Sequence, residues 1–266
     1  MDNSLFNQIA EIENRLIERI LINQDLLILS NLSFKIAEAL FSNASELPYS
    51  NEQSKSAVQI FKTKYQDFHL DTKRHKKSFE LLMTEKAFVD LFQAFEICLL
   101  GITKLLFRNY PKSLDTRSED SNKISVSFSE IFEQETTFQV KENIIERKSR
   151  SIIESTDYKE INRQIQNLFG FEFFSEESVK DRLFIGKQLR NVIVHNDGIV
   201  DERFMNKMKG LRFESNYQLF QNISEGLERE IENFNKLIQQ TVQEIRNNVL
   251  KRQSDLDKRY KIKNKK

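Results

Sequence analysis

Apolar residues recur along this chain at the three- and four-residue spacing that places side chains on one face of a helix. Near the N-terminus the positions with this spacing are Leu5, Ile9, Ile12, Leu16 and Ile20, and the apolar pattern continues through Phe34, Ile36 and Leu40. They predict a long first helix, which we expect to break near Ser30–Ser33. After an interruption at Leu47–Ser50, a second helix is predicted with Ser50 or Asn51 as its cap. Its apolar positions are Val58, Phe61, Tyr65 and Phe68.

A wider apolar stripe marks the middle of the chain and predicts a central helix. This helix begins near 78–84 and is ended by Pro111, because proline cannot continue the helical hydrogen-bond pattern. The polar segment 111–123 predicts a loop. A sequence with capping-box form at 127–130 then precedes a helix predicted near 129–149.

Three more helices are predicted in the last part of the chain. The first spans 157–169 and ends at the turn Phe169-Gly170-Phe171. Ser175 is predicted to cap the second, which runs to the turn signal Asp197-Gly198. After a shorter segment, the apolar spacing over roughly 215–260 predicts one long final helix.

The chain contains few residues that form tight turns. Its 266 residues include 6 glycines and 2 prolines, whereas average usage gives roughly 19 and 13. Because hairpins and doubly wound folds need such residues, we predict an all-α fold. The single, widely spaced glycines form neither a dinucleotide-binding loop nor a P-loop. One cysteine and three histidines supply neither a disulfide nor a Cys/His zinc site, so we predict no cofactor and no metal.

Hydropathy indicates where the protein is located, and charge indicates which partners it can bind. No apolar run approaches the ~18 residues of a membrane span and no signal-peptide pattern is present, which predicts a cytoplasmic protein without membrane contact. The total of 41 basic and 40 acidic residues is nearly balanced. Residues 247–266, however, hold eight basic and two acidic residues, which leaves 33 and 38 for the rest. Such a basic tail can attract RNA, although it is more often a solvated helix end.

Arg190, Asn191 and His195 place three chemically useful groups near the end of a predicted helix. At about 100° per residue, Asn191 and His195 share a face with Gln188 and Phe184, whereas Arg190 and His195 lie about 140° apart. Arginine donates to phosphoryl oxygens and histidine titrates near neutral pH, so the set suits phosphodiester chemistry. From the residues alone an alternative stays open, in which Arg190 pairs with an acid and His195 caps its own helix.

With its surroundings this set resembles a known motif. The segment RNVIVHNDGIVD, preceded by DRLFIGKQL, is similar to the R-x(4–6)-H motif of the HEPN superfamily and looks most like its bacterial RiboL-PSP-HEPN/MAE-like branch. The resemblance spans approximately residues 78–210 and implies an HEPN-type helical bundle. We accordingly predict a core over 76–212, an N-terminal helical arm over 1–75 that packs on it, and a long C-terminal helix with a basic tail over 213–266, together forming one compact unit.

Members of this superfamily with an intact motif are typically metal-independent endoribonucleases, so the resemblance implies the same activity here. The RNA 2′-hydroxyl would attack the adjacent phosphate, with His195 transferring protons, Arg190 stabilising the developing charge and Asn191 as the polar neighbour. The product would end in a 2′,3′-cyclic phosphate. Because HEPN sites usually form where two motifs face each other, the resemblance also implies a homodimer. The implied role is a toxin or an antiphage, abortive-infection effector, with an antitoxin or defence-system protein as a further partner.

The same hypothesis assigns roles to an acidic residue and to five basic residues. The family often places an acid on an earlier core helix, and Glu96 is the candidate to orient Arg190 or His195, ahead of Asp90; its alternative is an ordinary surface acid. The predicted RNA-binding cations are Lys187, Lys251, Arg252, Lys258 and Arg259. The rival function is a non-catalytic HEPN-like dimerisation or adaptor module that binds a partner protein, and both functions would keep the same fold.

Overall fold

The computed structural model describes residues 4–42, 79–115, 137–154, 157–211, 216–224 and 226–260, together with Ser56, Gln59, Ile60 and Thr63. These residues are mostly helical and contain no strand, only an isolated bridge between Ile199 and Asn222. The predicted all-α fold is therefore confirmed. None of the helices in this part of the chain has both the length and the apolar character needed to cross a membrane.

Seven α-helices and one short 3-10 helix occur in the described residues. They are α1 (Leu5–Ser42), α2 (Phe79–Asn109), the 3-10 helix (Pro111–Asp115), α3 (Thr137–Ile153), α4 (Tyr158–Phe169), α5 (Glu177–Asn196), α6 (Glu202–Met208) and α7 (Leu227–Tyr260). Helix α2 lies at the centre, because α1, α3, α5 and α7 each pack against it. Fifteen of its 31 residues are buried, which confirms the predicted central helix.

Close packing between α2, α5 and α7 depends on Gly186. Phe88, Phe92 and Phe234 form a ring cluster with centroids 5.1–5.7 Å apart. A β-carbon at Gly186 would lie 2.0 Å from Cζ of Phe92 and 2.8 Å from Cε1 of Phe234. The missing side chain lets the α5 backbone approach the rings, and this contact fixes the position of the helix that carries the motif.

Helix α1 is continuous through Ser30–Ser33, so the predicted break was wrong. Phe34, just beyond the serines, stacks on Phe79 with ring centroids 4.5 Å apart. Lys35 also pairs with Glu80 across 2.9 Å. Serine lowers helix propensity only modestly, and these contacts with the start of α2 hold the second half of α1 in place.

Two predicted helix starts were also wrong. The residue that precedes α5 as its N-cap is Glu176, while the Ser175 hydroxyl lies 3.5 Å from Nδ2 of Asn248. The last helix begins at Leu227 rather than near 215. Backbone hydrogen bonds join the segment 220–223 to the segment 198–200, and this pairing takes the place of the first turns of the predicted helix.

Several other predictions can be compared with the structure only in part. The second predicted helix lies outside the described residues except for four helical positions between 56 and 63, and the capping box at 127–130 lies outside them entirely. The predicted loop 111–123 is described as far as Asp115 and begins with the 3-10 helix. The predicted stop at Gly170 is confirmed, because this residue has φ 75° and ends α4.

Candidate functional site

Helix α5 carries the motif and remains helical through Asn196. Asp197 and Gly198 follow in the left-handed conformation, with φ 56° and 79°. The Gly198 amide donates to the Val192 carbonyl at 3.1 Å, which closes the helix end. Because the helix does not unwind before Asn196, Arg190 is not brought round to the face of His195.

Asn191 and His195 line one pocket, as their helical spacing predicts. The pocket has a volume of about 310 Å³ and lies between α5 and α6. Its polar side chains include Gln188, Asn191, His195, Asp201, Arg203 and Lys207. His195 is exposed, in the last turn of α5. The lining therefore contains an imidazole, three amides, one carboxylate and two cations, and sequence reasoning missed both cations.

Arg190 lies outside that lining but contacts it through its neighbour. Its Nη1 donates to Oδ1 of Asn191 at 3.2 Å, and its buried Nε has no hydrogen-bond partner. The Arg190 charge also acts on the fully buried Tyr158. Burial raises the pKa of this hydroxyl, the Glu96 carboxylate raises it further, and the Arg190 charge acts in the opposite direction. The structure thus joins Arg190 to the pocket through Asn191, and not through His195.

Glu96 contacts Lys187 rather than the motif residues. Its Oε1 lies 3.3 Å from Nζ of Lys187, whose side chain is only 12% exposed. The same Nζ lies 5.7 Å from the ring centroid of Tyr158. Among the described residues, no hydrogen bond joins Glu96 to Arg190 or His195. Lys187 is consequently engaged with Glu96 and Tyr158 and does not line the pocket.

A buried carboxylate that sequence reasoning missed contacts the end of α5. Glu85 is 7% exposed and accepts a hydrogen bond from the Ser224 hydroxyl. A β-carbon at Gly198 would lie 2.7 Å from Oγ of Ser224 and 3.0 Å from Oε1 of Glu85. The only sequence signal was an acid inside the apolar stripe of α2, where buried acids are rare. This contact anchors the turn that follows His195.

Alanine at Gly198 is expected to destabilise the protein more than alanine at Gly210. Both glycines have φ 79°, so each substitution carries a left-handed penalty of about 1–2 kcal/mol. Only Gly198 has close neighbours, since a β-carbon at Gly210 would meet nothing within 4 Å. Urea unfolding of the two variants measures the difference, and equal losses in the free energy of unfolding would contradict the close approach at Gly198.

Asp201 joins the start of α6 to the end of α5. One carboxylate oxygen accepts from the Phe204 amide at 2.8 Å and the other from Nδ2 of Asn196 at 2.6 Å. The Phe204 amide, the Asn196 side chain and the Arg203 charge together hold the pKa of Asp201 below its ordinary value. The carboxylate therefore stays ionised at neutral pH and keeps α6 beside the pocket.

The predicted cations of the C-terminal helix lie at the opposite end of α5 from His195. Lys251 and Arg252 line a second pocket, of about 300 Å³, together with Ser175, which precedes α5. From Ser175 to His195 the helix rise of 1.5 Å per residue gives about 30 Å. Lys258 and Arg259 lie closer to the C-terminus, in the last turn of α7. The structure does not bring these four cations together with the motif.

Cys98 offers no nucleophile to this site. It is buried on α2, and its burial, aided by the Glu13 carboxylate, raises the pKa of the thiol to about 12. Because the thiolate is the reactive form, this cysteine is inert at neutral pH. The chemistry of the pocket therefore rests on nitrogen and oxygen groups.

Comparisons of the chain with protein families, with curated proteins and with solved structures found no match. The fold and the site together define a class of protein. The protein is all-α, and an imidazole, three amides, one carboxylate and two cations line a surface pocket at the end of a helix that packs against the central one.

Proposed function

We propose that this protein is a metal-independent endoribonuclease of the HEPN type. The observation that carries the proposal is that Asn191 and His195, within the segment that resembles the HEPN motif, line one pocket with Arg203 and Lys207. Such a pocket combines a group that transfers protons near neutral pH with charged donors for phosphoryl oxygens. It has the components that cleavage of an RNA phosphodiester requires.

In the proposed reaction the RNA 2′-hydroxyl attacks the adjacent phosphorus and the bond to the 5′-oxygen breaks. His195 takes the proton of the 2′-hydroxyl or supplies one to the departing 5′-oxygen. The products are a 2′,3′-cyclic phosphate and a 5′-hydroxyl. Donors aimed at the non-bridging oxygens stabilise the negative charge that develops on them in the transition state.

Arg190 acts on this pocket through Asn191. Its hydrogen bond occupies Oδ1 of Asn191, which leaves the Nδ2 group of that amide to donate into the pocket. In an isologous dimer built on the end of α5, two copies of Arg190 and His195 would face each other. Each chain would then supply one set of proton-transfer and charge-stabilising groups to a shared cleft.

This composite site predicts a homodimer in solution. We expect sedimentation velocity at micromolar protein concentration to give the mass of two chains, because a single chain keeps Arg190 and His195 on different faces of α5. A preparation that cleaves RNA while sedimenting as a clean monomer would contradict the composite site.

The proposed biological role is that of a toxin or antiphage effector. Induced expression of the wild type in a bacterial host is then expected to arrest growth, whereas His195→Ala at the same protein level should not. An antitoxin or defence-system protein would be the further partner that restrains this activity.

A second candidate function is a non-catalytic HEPN-like adaptor that binds a partner protein, and the outer face of α1 favours it. Seven of its apolar side chains are 52–64% exposed, namely Leu21, Ile22, Leu26, Ile28, Leu29, Leu32 and Ile36. Exposed apolar patches of this kind mark protein interaction sites. An adaptor predicts that the wild type leaves RNA as intact as His195→Ala does, and that glutamate at Leu29 prevents partner binding.

A further inference from the structure

We infer that Arg203 and Lys207, on the short helix after the motif, bind the phosphodiester backbone of RNA in the His195 pocket. The inference rests on the proposed function, because it assigns the substrate-binding groups of the same pocket. Both cations follow the segment 190–201 that resembles the HEPN motif. The turn between α5 and α6 places them beside His195.

The two cations stand on one face of α6, four residues apart, so their β-carbons lie about 5–6 Å from each other. That face lines the pocket to which α5 contributes Asn191 and His195. Both cations are exposed, while Phe204 between them is buried and anchors the helix. Their charges are therefore presented to solvent from a fixed backbone.

Lys207 is positioned by a neutral group. Its Nζ donates to Oε1 of Gln188 at 2.8 Å, and Gln188 is itself 4% exposed. An ammonium group has three donors, so two of them remain for a ligand in the pocket. Because Gln188 carries no charge, the hydrogen bond orients the ammonium without neutralising it.

Arg203 lies near the one carboxylate of the lining, Asp201, and the two charges attract each other. Both oxygens of Asp201 accept hydrogen bonds, from Phe204 and from Asn196. Within the described part of the chain, neither Arg203 nor Lys207 forms a salt bridge. Lys187 on α5 differs in this respect, since it is paired with Glu96. The lining consequently carries two positive charges, neither in a salt bridge with a described residue, against the one negative charge of Asp201.

These groups suit an anionic ligand better than a neutral one, and the proposed function makes that anion a phosphodiester. Guanidinium and ammonium donors bind phosphoryl oxygens with charge-assisted hydrogen bonds, and a phosphate held between them would lie beside His195 in the same pocket. The expected ligand is a polymer. Because the imidazole and both cations are exposed, the RNA strand can continue on either side of the bound phosphate.

The test measures binding without cleavage. The probe is a fluorescein-labelled oligouridylate of about 12 nucleotides whose 2′-hydroxyls are all 2′-O-methyl, so that it cannot react. Fluorescence anisotropy at several salt concentrations compares the wild type, Arg203→Ala and Lys207→Ala. Lys209→Ala is the matched control, because it removes a lysine from the end of the same helix but outside the pocket lining.

Each pocket variant is expected to weaken binding by about 10- to 150-fold, the loss of a charge-assisted hydrogen bond. The slope of log affinity against log salt should fall by about 0.7 for each phosphate contact removed. Arg203→Lys should keep most of the slope, since the charge remains. Lys209→Ala should bind within about twofold of the wild type, and circular dichroism verifies that all variants are folded.

Unchanged affinity and slope in both pocket variants would overturn the inference, and so would a wild type that does not bind the probe. Cleavage of the unmodified oligonucleotide tests the proposed function separately. A wild type that binds through Arg203 and Lys207 but does not cleave would overturn the nuclease and leave the phosphate assignment standing. Cleavage that requires His195 but is insensitive to both cations would overturn the phosphate assignment and leave the nuclease standing.

Discussion

Alanine at His195 is expected to lower RNA cleavage by about 10²- to 10⁴-fold, the usual contribution of a general acid or base. The fold should be retained, because His195 is exposed at the end of α5 and contributes nothing to the buried core. The measurement is cleavage of purified RNA in EDTA, with circular dichroism as the check on folding. His69→Ala is the matched control, since it removes a histidine outside the segment that resembles the HEPN motif.

Arg190→Ala is expected to impair cleavage partly through Asn191. If Arg190 acts in part by fixing the Asn191 amide, the double variant Arg190→Ala/Asn191→Ala will lose less activity than the two single losses added as free energies. Independent roles would instead give losses that add as free energies.

Two outcomes would contradict the nuclease directly. One is equal cleavage, or equal absence of cleavage, by the wild type and the Arg190 and His195 variants. The other is cleavage that EDTA abolishes, since the proposed reaction uses only side chains of the chain itself. The cyclic phosphate end provides an independent check, because hydrolysis by a different route would leave a different terminus.

The second large effect is expected at Gly186. Alanine there should lower the free energy of unfolding by about 1–3 kcal/mol, the usual cost of overpacking a core. The loss should appear despite the roughly 1 kcal/mol that alanine gains in helix propensity, because its β-carbon would overlap the rings of Phe92 and Phe234. Denaturant unfolding at constant temperature measures the change.

Gly101 provides the matched control on α2. A β-carbon there would lie 3.5 Å from side-chain atoms of Ile12, an ordinary contact distance. Gly101→Ala should therefore stabilise the protein by up to about 1 kcal/mol, opposite in sign to Gly186→Ala. Adding Phe92→Leu to Gly186→Ala should give a smaller loss than the two single losses added together. A neutral or stabilising Gly186→Ala would contradict the packing of α5 on the ring cluster.

The fold was predictable wherever local periodicity determines it. The central helix was expected from 78–84 to Pro111 and is found at Phe79–Asn109. Contacts between distant segments were not predictable. Ile223 fits the helical spacing of the last helix, yet it is buried in the turn that pairs with 198–200. The break expected at Ser30–Ser33 failed for the same reason, because the Phe34–Phe79 stack joins two different helices.

The candidate site was predictable only along α5. An angle of about 100° per residue is enough to place Asn191 with His195 and to separate Arg190 from them. The contribution of Arg203 and Lys207 depends on the turn between α5 and α6, which no spacing rule reveals. The pairing of Glu96 with Lys187, and not with the motif, likewise depends on how α2 packs beside α5.

The separation of the two basic regions along α5 has a consequence for RNA length. A strand carries one phosphate per 3.4 Å in a duplex geometry, so the roughly 30 Å between the Lys251 region and His195 corresponds to at most about nine nucleotides, and to fewer in an extended single strand. An RNA too short to span this distance can occupy the His195 pocket without reaching α7. Any contribution of Lys251 and Arg252 to affinity must therefore appear as a threshold in oligonucleotide length, and shorter substrates will bind as if the C-terminal cations were absent.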